Sequence, residues 1–76
     1  MKYTVEAGFF KNEKFAKSQM EMLIRKGFDA RVDKIKENRK WFFSVRIGSF
    51  ESEKDAVEIL EKLRIDVRLK GKIVKI

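Results

Sequence analysis

Two stretches of this chain are copies of one another, and that duplication limits its possible folds more than any other feature. Tyr3-Thr4-Val5-Glu6-Ala7-Gly8-Phe9-Phe10-Lys11-Asn12-Glu13-Lys14-Phe15-Ala16 aligns with Phe43-Ser44-Val45-Arg46-Ile47-Gly48-Ser49-Phe50-Glu51-Ser52-Glu53-Lys54-Asp55-Ala56 at a spacing of 40, with six of fourteen pairs identical. A shorter match follows at a spacing of 37, Phe28-Asp29-Ala30-Arg31-Val32 against Ile65-Asp66-Val67-Arg68-Leu69. Two copies are too few for a solenoid, where each repeat buries its apolar face on the next. They point to a closed arrangement with the halves related by a two-fold rotation.

Each half reads strand–helix–strand. Tyr3, Val5 and Ala7 alternate with Thr4 and Glu6, the period of a half-buried strand, and Gly8 is expected to end it. Asn12 is a candidate N-cap, with Glu13 placed to complement the helix dipole. Ala16, Met20 and Leu23 then fall on one helical face, and Gly27 is placed to stop the helix. The second copy offers Ser52 as cap and Ala56, Leu60 and Leu63 as the face. After the helices, Phe28, Ala30 and Val32 alternate with Asp29, Arg31 and Asp33, and Ile65, Val67 and Leu69 with Asp66 and Arg68. Lys36-Glu37-Asn38-Arg39-Lys40 is expected to turn a hairpin between the halves. Residues 72–76 are strand-like with no counterpart in the first copy, and would extend the last strand or add an edge.

The resulting fold class is α+β in the ferredoxin-like or RNP-like order β-α-β-β-α-β. A four-stranded antiparallel sheet, built from a duplicated βαβ unit, carries two helices on one face. Residues 1–76 form a single domain. At this size about 60% of the unfolded chain's surface becomes buried, and the 43% apolar content suffices for one core. With no Cys and no His, that core stands without disulfides, and thiolate zinc sites, Cys/His nucleophile pairs and imidazole acid–base chemistry are excluded. No apolar run approaches the ~18 residues of a membrane span. Met1-Lys2-Tyr3-Thr4-Val5-Glu6 lacks the layout of a signal peptide. The 19 Lys and Arg against 12 Asp and Glu give +7, which suits nucleic acid, anionic lipid or an acidic polymer, or simply a soluble surface.

The strand phases also define an outer face. If Tyr3, Val5, Ala7, Phe43, Val45 and Ile47 point to the helices, then Thr4, Glu6, Ser44 and Arg46 point away. Asp29, Arg31 and Asp33 join them from the second strand, and Asp66 and Arg68 from the fourth. Counting back from Gly48 turns Phe42 outward and Trp41 inward; a bulge near the hairpin would exchange them. Phe9 belongs either to the rim of this face or to a core edge. A ring beside guanidinium and carboxylate groups suits a sugar polymer, by stacking on a pyranose and hydrogen-bonding its substituents. The candidate ligand contacts are Glu6, Phe9, Arg31, Trp41, Phe42, Ser44 and Arg46. For Glu6 and Arg46 the simpler role is a cross-strand pair, and for Asp29/Arg31 and Asp66/Arg68 a charge ladder.

The opening Tyr3-Thr4-Val5-Glu6-Ala7-Gly8-Phe9-Phe10 resembles the aromatic-x-Val-Gln-x-Gly-Ser-Phe motif of SPOR domains, the sporulation-related repeats of bacterial envelope and division proteins. Phe43-Ser44-Val45-Arg46-Ile47-Gly48-Ser49-Phe50 resembles its second half, and Gly27-Phe28-Asp29-Ala30 the family's turn from helix to strand. Glu6 stands where Gln is usual and Phe9 where Ser is usual. The resemblance, over about Tyr3 to Leu69, implies non-catalytic binding of peptidoglycan glycan strands, especially those stripped of stem peptides, through the open sheet face. It also implies a place in the cell envelope outside the cytoplasmic membrane, a tether in a segment outside this chain, and other division or envelope proteins as partners.

Three other readings compete. Glu6 and Asp29 as a carboxylate pair for glycoside hydrolysis lack a pocket on a flat sheet, so no catalytic residues are expected. The dispersed acids make no metal site, and no cofactor is expected. An RNA-recognition-like module for single-stranded nucleic acid has the same element order, and Arg39-Lys40-Trp41-Phe42-Phe43 interleaves basic and aromatic residues. However, the third strand lacks the Lys/Arg-Gly-Phe/Tyr-Gly/Ala-Phe-Val pattern, and Glu6, Asp29, Asp33 and Asp66 would repel phosphate. A protein-interaction or small-ligand regulatory domain is the third, since this fold hosts many roles.

Overall fold

The computed structural model describes residues 1–76. The elements run β1 (Tyr3–Phe10), α1 (Glu13–Arg25), β2 (Ala30–Glu37), β3 (Lys40–Phe50), α2 (Glu53–Val67) and β4 (Lys72–Lys75). The strands form one antiparallel sheet in the order β2-β3-β1-β4. Both helices lie on one face, α1 against β1, β2 and β3, and α2 against β1, β3 and β4. Neither is long and apolar enough to cross a membrane.

Local chemistry starts both helices where the sequence predicts. The Asn12 side chain accepts from the Lys14 backbone N–H at 2.8 Å, and the Ser52 hydroxyl accepts from that of Asp55 at 3.2 Å. Each cap satisfies a donor that the first helical turn leaves open. Ala16 and Leu23 of α1 and Ala56 and Leu63 of α2 are fully buried, as the periodicity requires. They meet Val5, Val45 and Ile47 from the two central strands to form the core.

The duplication becomes a pseudo-two-fold axis through the middle of the sheet. Glu6 and Arg46, equivalent positions of the repeat, pair with each other across β1 and β3. Tyr3 opposite Phe50 and Phe10 opposite Phe43 are images about the same axis. All four rings pack against the core from its two ends.

Two β-bulges modify the expected alternation. Between the pairs Glu6–Arg46 and Gly8–Val45, Ala7 is an extra residue of β1. Gly8 therefore does not end the strand. It lets the backbone pass close under α1, where a Cβ would collide with the Gln19 side chain. The extra residue shifts the phase, so Phe9, opposite Ser44, reaches the outer face, and Phe10, opposite Phe43, turns in. On β3 the matching bulge holds Gly48 at φ +68°, a left-handed conformation that glycine adopts without strain.

The fourth strand differs from expectation. Ile65, Asp66 and Val67 are helical, and β4 is the segment 72–75. Val67 follows Leu63 by four residues and packs on the core, so the apolar stripe of α2 simply continues. The second copy has no glycine to stop it where α1 meets Gly27. The turn falls on Arg68, at φ 59°, as Gly27 turns at φ 93°. Gly27 and Arg68 are 41 residues apart, so the 37-residue match is not a structural equivalence. Asp66 and Arg68 consequently lie at the end of α2 and not on the sheet, which corrects their assignment to the outer face.

Candidate functional site

No helix covers the outer face of the sheet, yet its centre is dry. Thr4 and Ser44 are fully buried and Glu6 is 8% exposed. Long side chains of the same face do the covering, and a chain of polar contacts links all four strands. On β2, Arg31 Nε donates to Asp33 Oδ2 at 3.3 Å. The same carboxylate oxygen lies 3.6 Å from Nη1 of Arg46 on β3. Arg46 Nε donates to the Ser44 hydroxyl at 3.1 Å, and that hydroxyl donates to Glu6 Oε2 on β1 at 2.7 Å. The other Glu6 oxygen lies 3.7 Å from Nζ of Lys72 on β4. Charges alternate along this line, and each buried acceptor has a partner, which removes the penalty of placing a carboxylate out of water.

Glu6 and Arg46, expected as a direct cross-strand ion pair, are bridged by Ser44. Arg46, with its side chain only 15% exposed, lies along the face as a cover for Ser44 and Glu6. The ladder runs through Arg31 and Asp33; Asp29 contributes a backbone carbonyl, which accepts from the Gly48 N–H at 3.0 Å. The bulge is secured from the same side. Thr4 donates its hydroxyl to the Gly48 carbonyl at 2.7 Å, and Arg31 Nη1 donates to it at 2.9 Å.

Aromatic residues form one wall. Phe9, brought outward by the first bulge, stacks on Phe42 with centroids 4.9 Å apart and planes 24° from parallel. Phe9 is 42% exposed and Phe42 half-buried, so the pair offers ring surface to a partner. Glu6 and Arg46 floor a depression of about 400 Å³, walled by Phe9, Ile35, Lys72 and Val74. An adjoining one of about 380 Å³ runs along Gly8, Lys70 and Gly71 at the junction of β1 and β4.

Of the seven candidates, the structure brings six to this face: Glu6, Phe9, Arg31, Phe42, Ser44 and Arg46. Ser44 is too deeply buried to touch a ligand and acts by holding Glu6 and Arg46. Trp41 is not among them. It pairs with Lys36 on the opposite side of the sheet, beyond the helices, where the Lys34 and Lys36 ammonium groups lie 4.6 and 5.5 Å from its ring centroid. Lys72 and Val74 are site residues that the sequence analysis missed. The alternation of 72–76 already marked a strand, but its place beside β1 depends on the strand order. No cluster of acids suited to a metal ion exists.

A family model described as SPOR domain matches residues 2–75. The peptidoglycan binding domain of the cell wall lytic enzyme CwlC from B. subtilis, a solution structure, is 25% identical with a TM-score of 0.77, covering 96% of this chain and 86% of that one. The SPOR domain of RlpA from Pseudomonas aeruginosa, a crystal structure, shares the fold at 16% identity and a TM-score of 0.78, over 97% of this chain and 99% of that one. A putative exported protein from Burkholderia pseudomallei K96243 shares it at 20% identity and a TM-score of 0.78, over 95% of this chain but 15% of its own length. No curated protein sequence matches the chain.

Proposed function

The chain belongs to the SPOR domain family, a family of peptidoglycan-binding domains, and from that membership we propose that it is a non-catalytic module that binds peptidoglycan glycan strands through the helix-free face of its sheet. The observation that carries this reading is the Phe9–Phe42 stack beside the groove floored by Glu6 and Arg46. A pyranose presents an apolar face to rings and hydroxyl or acetamide groups to charged neighbours, and this face has both side by side. Phe9, Phe42, Arg31, Arg46 and Lys72 are the contacts. Glu6 forms the floor, and Ser44 positions it. Here Glu6, where the motif has Gln, uses both carboxylate oxygens, one accepting from Ser44 and the other facing Lys72, whereas an amide would offer only one acceptor oxygen. The departure at Phe9 adds a ring where the motif has a hydroxyl.

The similarity to CwlC's peptidoglycan binding domain supports the ligand class. Glycan strands stripped of stem peptides are the expected ligand, as the family resemblance implies. The compartment consistent with that ligand is the cell envelope outside the cytoplasmic membrane, with the module tethered there through another segment and working among division or envelope proteins.

Sedimentation with peptidoglycan sacculi, with and without prior amidase treatment, tests the proposal. We expect the chain to pellet with both, and more with the treated sacculi. No enrichment on either, together with salt-sensitive retention on single-stranded RNA, would replace it with the nucleic-acid reading.

A further inference from the structure

The β2–β3 hairpin carries a second surface that the glycan groove does not use. β1 makes its last pair with β3 at Phe10–Phe43, so Lys40, Trp41 and Phe42 pair with β2 alone. The hairpin therefore projects about 10 Å past the rest of the sheet. Lys36, Arg39 and Lys40 are exposed along this projection and Lys34 at its base, with Glu37, which also lines the groove, as the one acid. None of the four cations takes part in an ion pair. Trp41, 49% exposed, stands with Lys34 and Lys36 on the side of the sheet away from the groove, while Lys40, paired with Glu37, falls on the groove side.

The turn itself holds a further sign. Asn38 and Arg39 both have positive φ, 50° and 66°, the two central positions of a tight hairpin turn. Asn tolerates this conformation, but the second position is usually glycine, and any other residue is strained there. A cation stands at the tip where glycine would fold more easily. Strain retained at an exposed position points to a use for the side chain.

We propose that this hairpin docks on an anionic phospholipid surface, with Lys34, Lys36 and Arg39 against the headgroup phosphates and Trp41 at the polar–apolar boundary. Unpaired cations around a tryptophan complement such a surface, because indole settles at the interface while lysines reach the headgroups. A base or a sugar would have to displace two ammonium groups from the Trp41 ring to stack on it. An interface asks for no such exchange. Docked by its tip, the domain keeps its groove free, so the inference does not rest on the glycan reading.

Trp41 is the only tryptophan, and its emission reports on this surface alone. The chain is titrated with zwitterionic vesicles and with vesicles holding roughly one-third anionic phospholipid. We expect a blue shift with the anionic vesicles only, reversed by high salt. Each basic residue near such a surface is worth about fivefold in partitioning, so Lys34→Ala with Lys36→Ala lowers it about 25-fold while sacculus binding stays unchanged. Arg39→Gly binds vesicles about fivefold less tightly and melts higher, a combination that loss of folding does not produce. No shift with anionic vesicles, an equal shift with both kinds, or a shift with single-stranded RNA alone would overturn the proposal, as would joint loss of sacculus and vesicle binding in the double variant. A chain that binds vesicles but not sacculi would sink the glycan reading and leave this one standing.

Discussion

Ser44 is a small residue between two charged ones, accepting from Arg46 and donating to Glu6. Ser44→Ala leaves both groups short of a partner in a strip that water barely reaches. The expected loss is about 1–3 kcal/mol of unfolding free energy, read by urea denaturation. Phe42→Ala breaks the ring stack at the groove wall and should act the other way round: sacculus binding falls strongly while stability drops by only about 1 kcal/mol beyond the lost burial. A wild-type urea midpoint for Ser44→Ala would mean that the ladder holds nothing. Which residues share the outer face was legible from alternation, since Glu6, Ser44 and Arg46 keep strict phase. Their depth was not. Alternation assigns a side of a sheet, whereas burial depends on which long side chains fold over that side.

The two helices show how one repeated unit diverges. α1 has 13 residues and stops before Gly27; α2 has 15 and stops before Arg68. A left-handed residue other than glycine is strained by about 1–2 kcal/mol. Arg68→Gly should therefore stabilise the protein by about 1 kcal/mol, a rise of about 4–8 °C in the thermal midpoint for a domain this small. A fall in the midpoint would show that the Arg68 side chain contributes more than its backbone costs. The helix starts were readable because capping is local. The end of α2 was misread because Ile65, Val67 and Leu69 alternate like a strand. The i to i+4 step from Leu63 to Val67 fits a helix equally well, and contact with the core decides between them.

At the scale of the molecule, β4 completes the site and closes the sheet. It pairs with β1 from Tyr3–Lys75 to Glu6–Lys72, and Ile73 packs against the core. Without it, β1, a central strand, becomes an edge, and α2 loses part of the surface it covers. Removing residues 70–76 is expected to abolish cooperative thermal unfolding, as followed by circular dichroism. A truncated chain that still melts in one sharp transition would show that the first three strands and two helices suffice. The strand order β2-β3-β1-β4 also explains why a tail without a repeat counterpart supplies Lys72 to the polar ladder.

From its residues alone the chain determined the duplicated unit, both helix starts, the inward set Val5, Val45 and Ile47, and the outward set Glu6, Ser44 and Arg46. All of these follow from spacing or from contacts within a few residues. Only the tertiary structure decided that Phe9 turns outward over a bulge, that residues 72–75 form the last strand and that Ser44 lies beneath Arg46. The first two depend on strand partners some thirty-five to seventy residues away in sequence, and the third on long side chains from several strands excluding water, and neither is encoded in a local pattern.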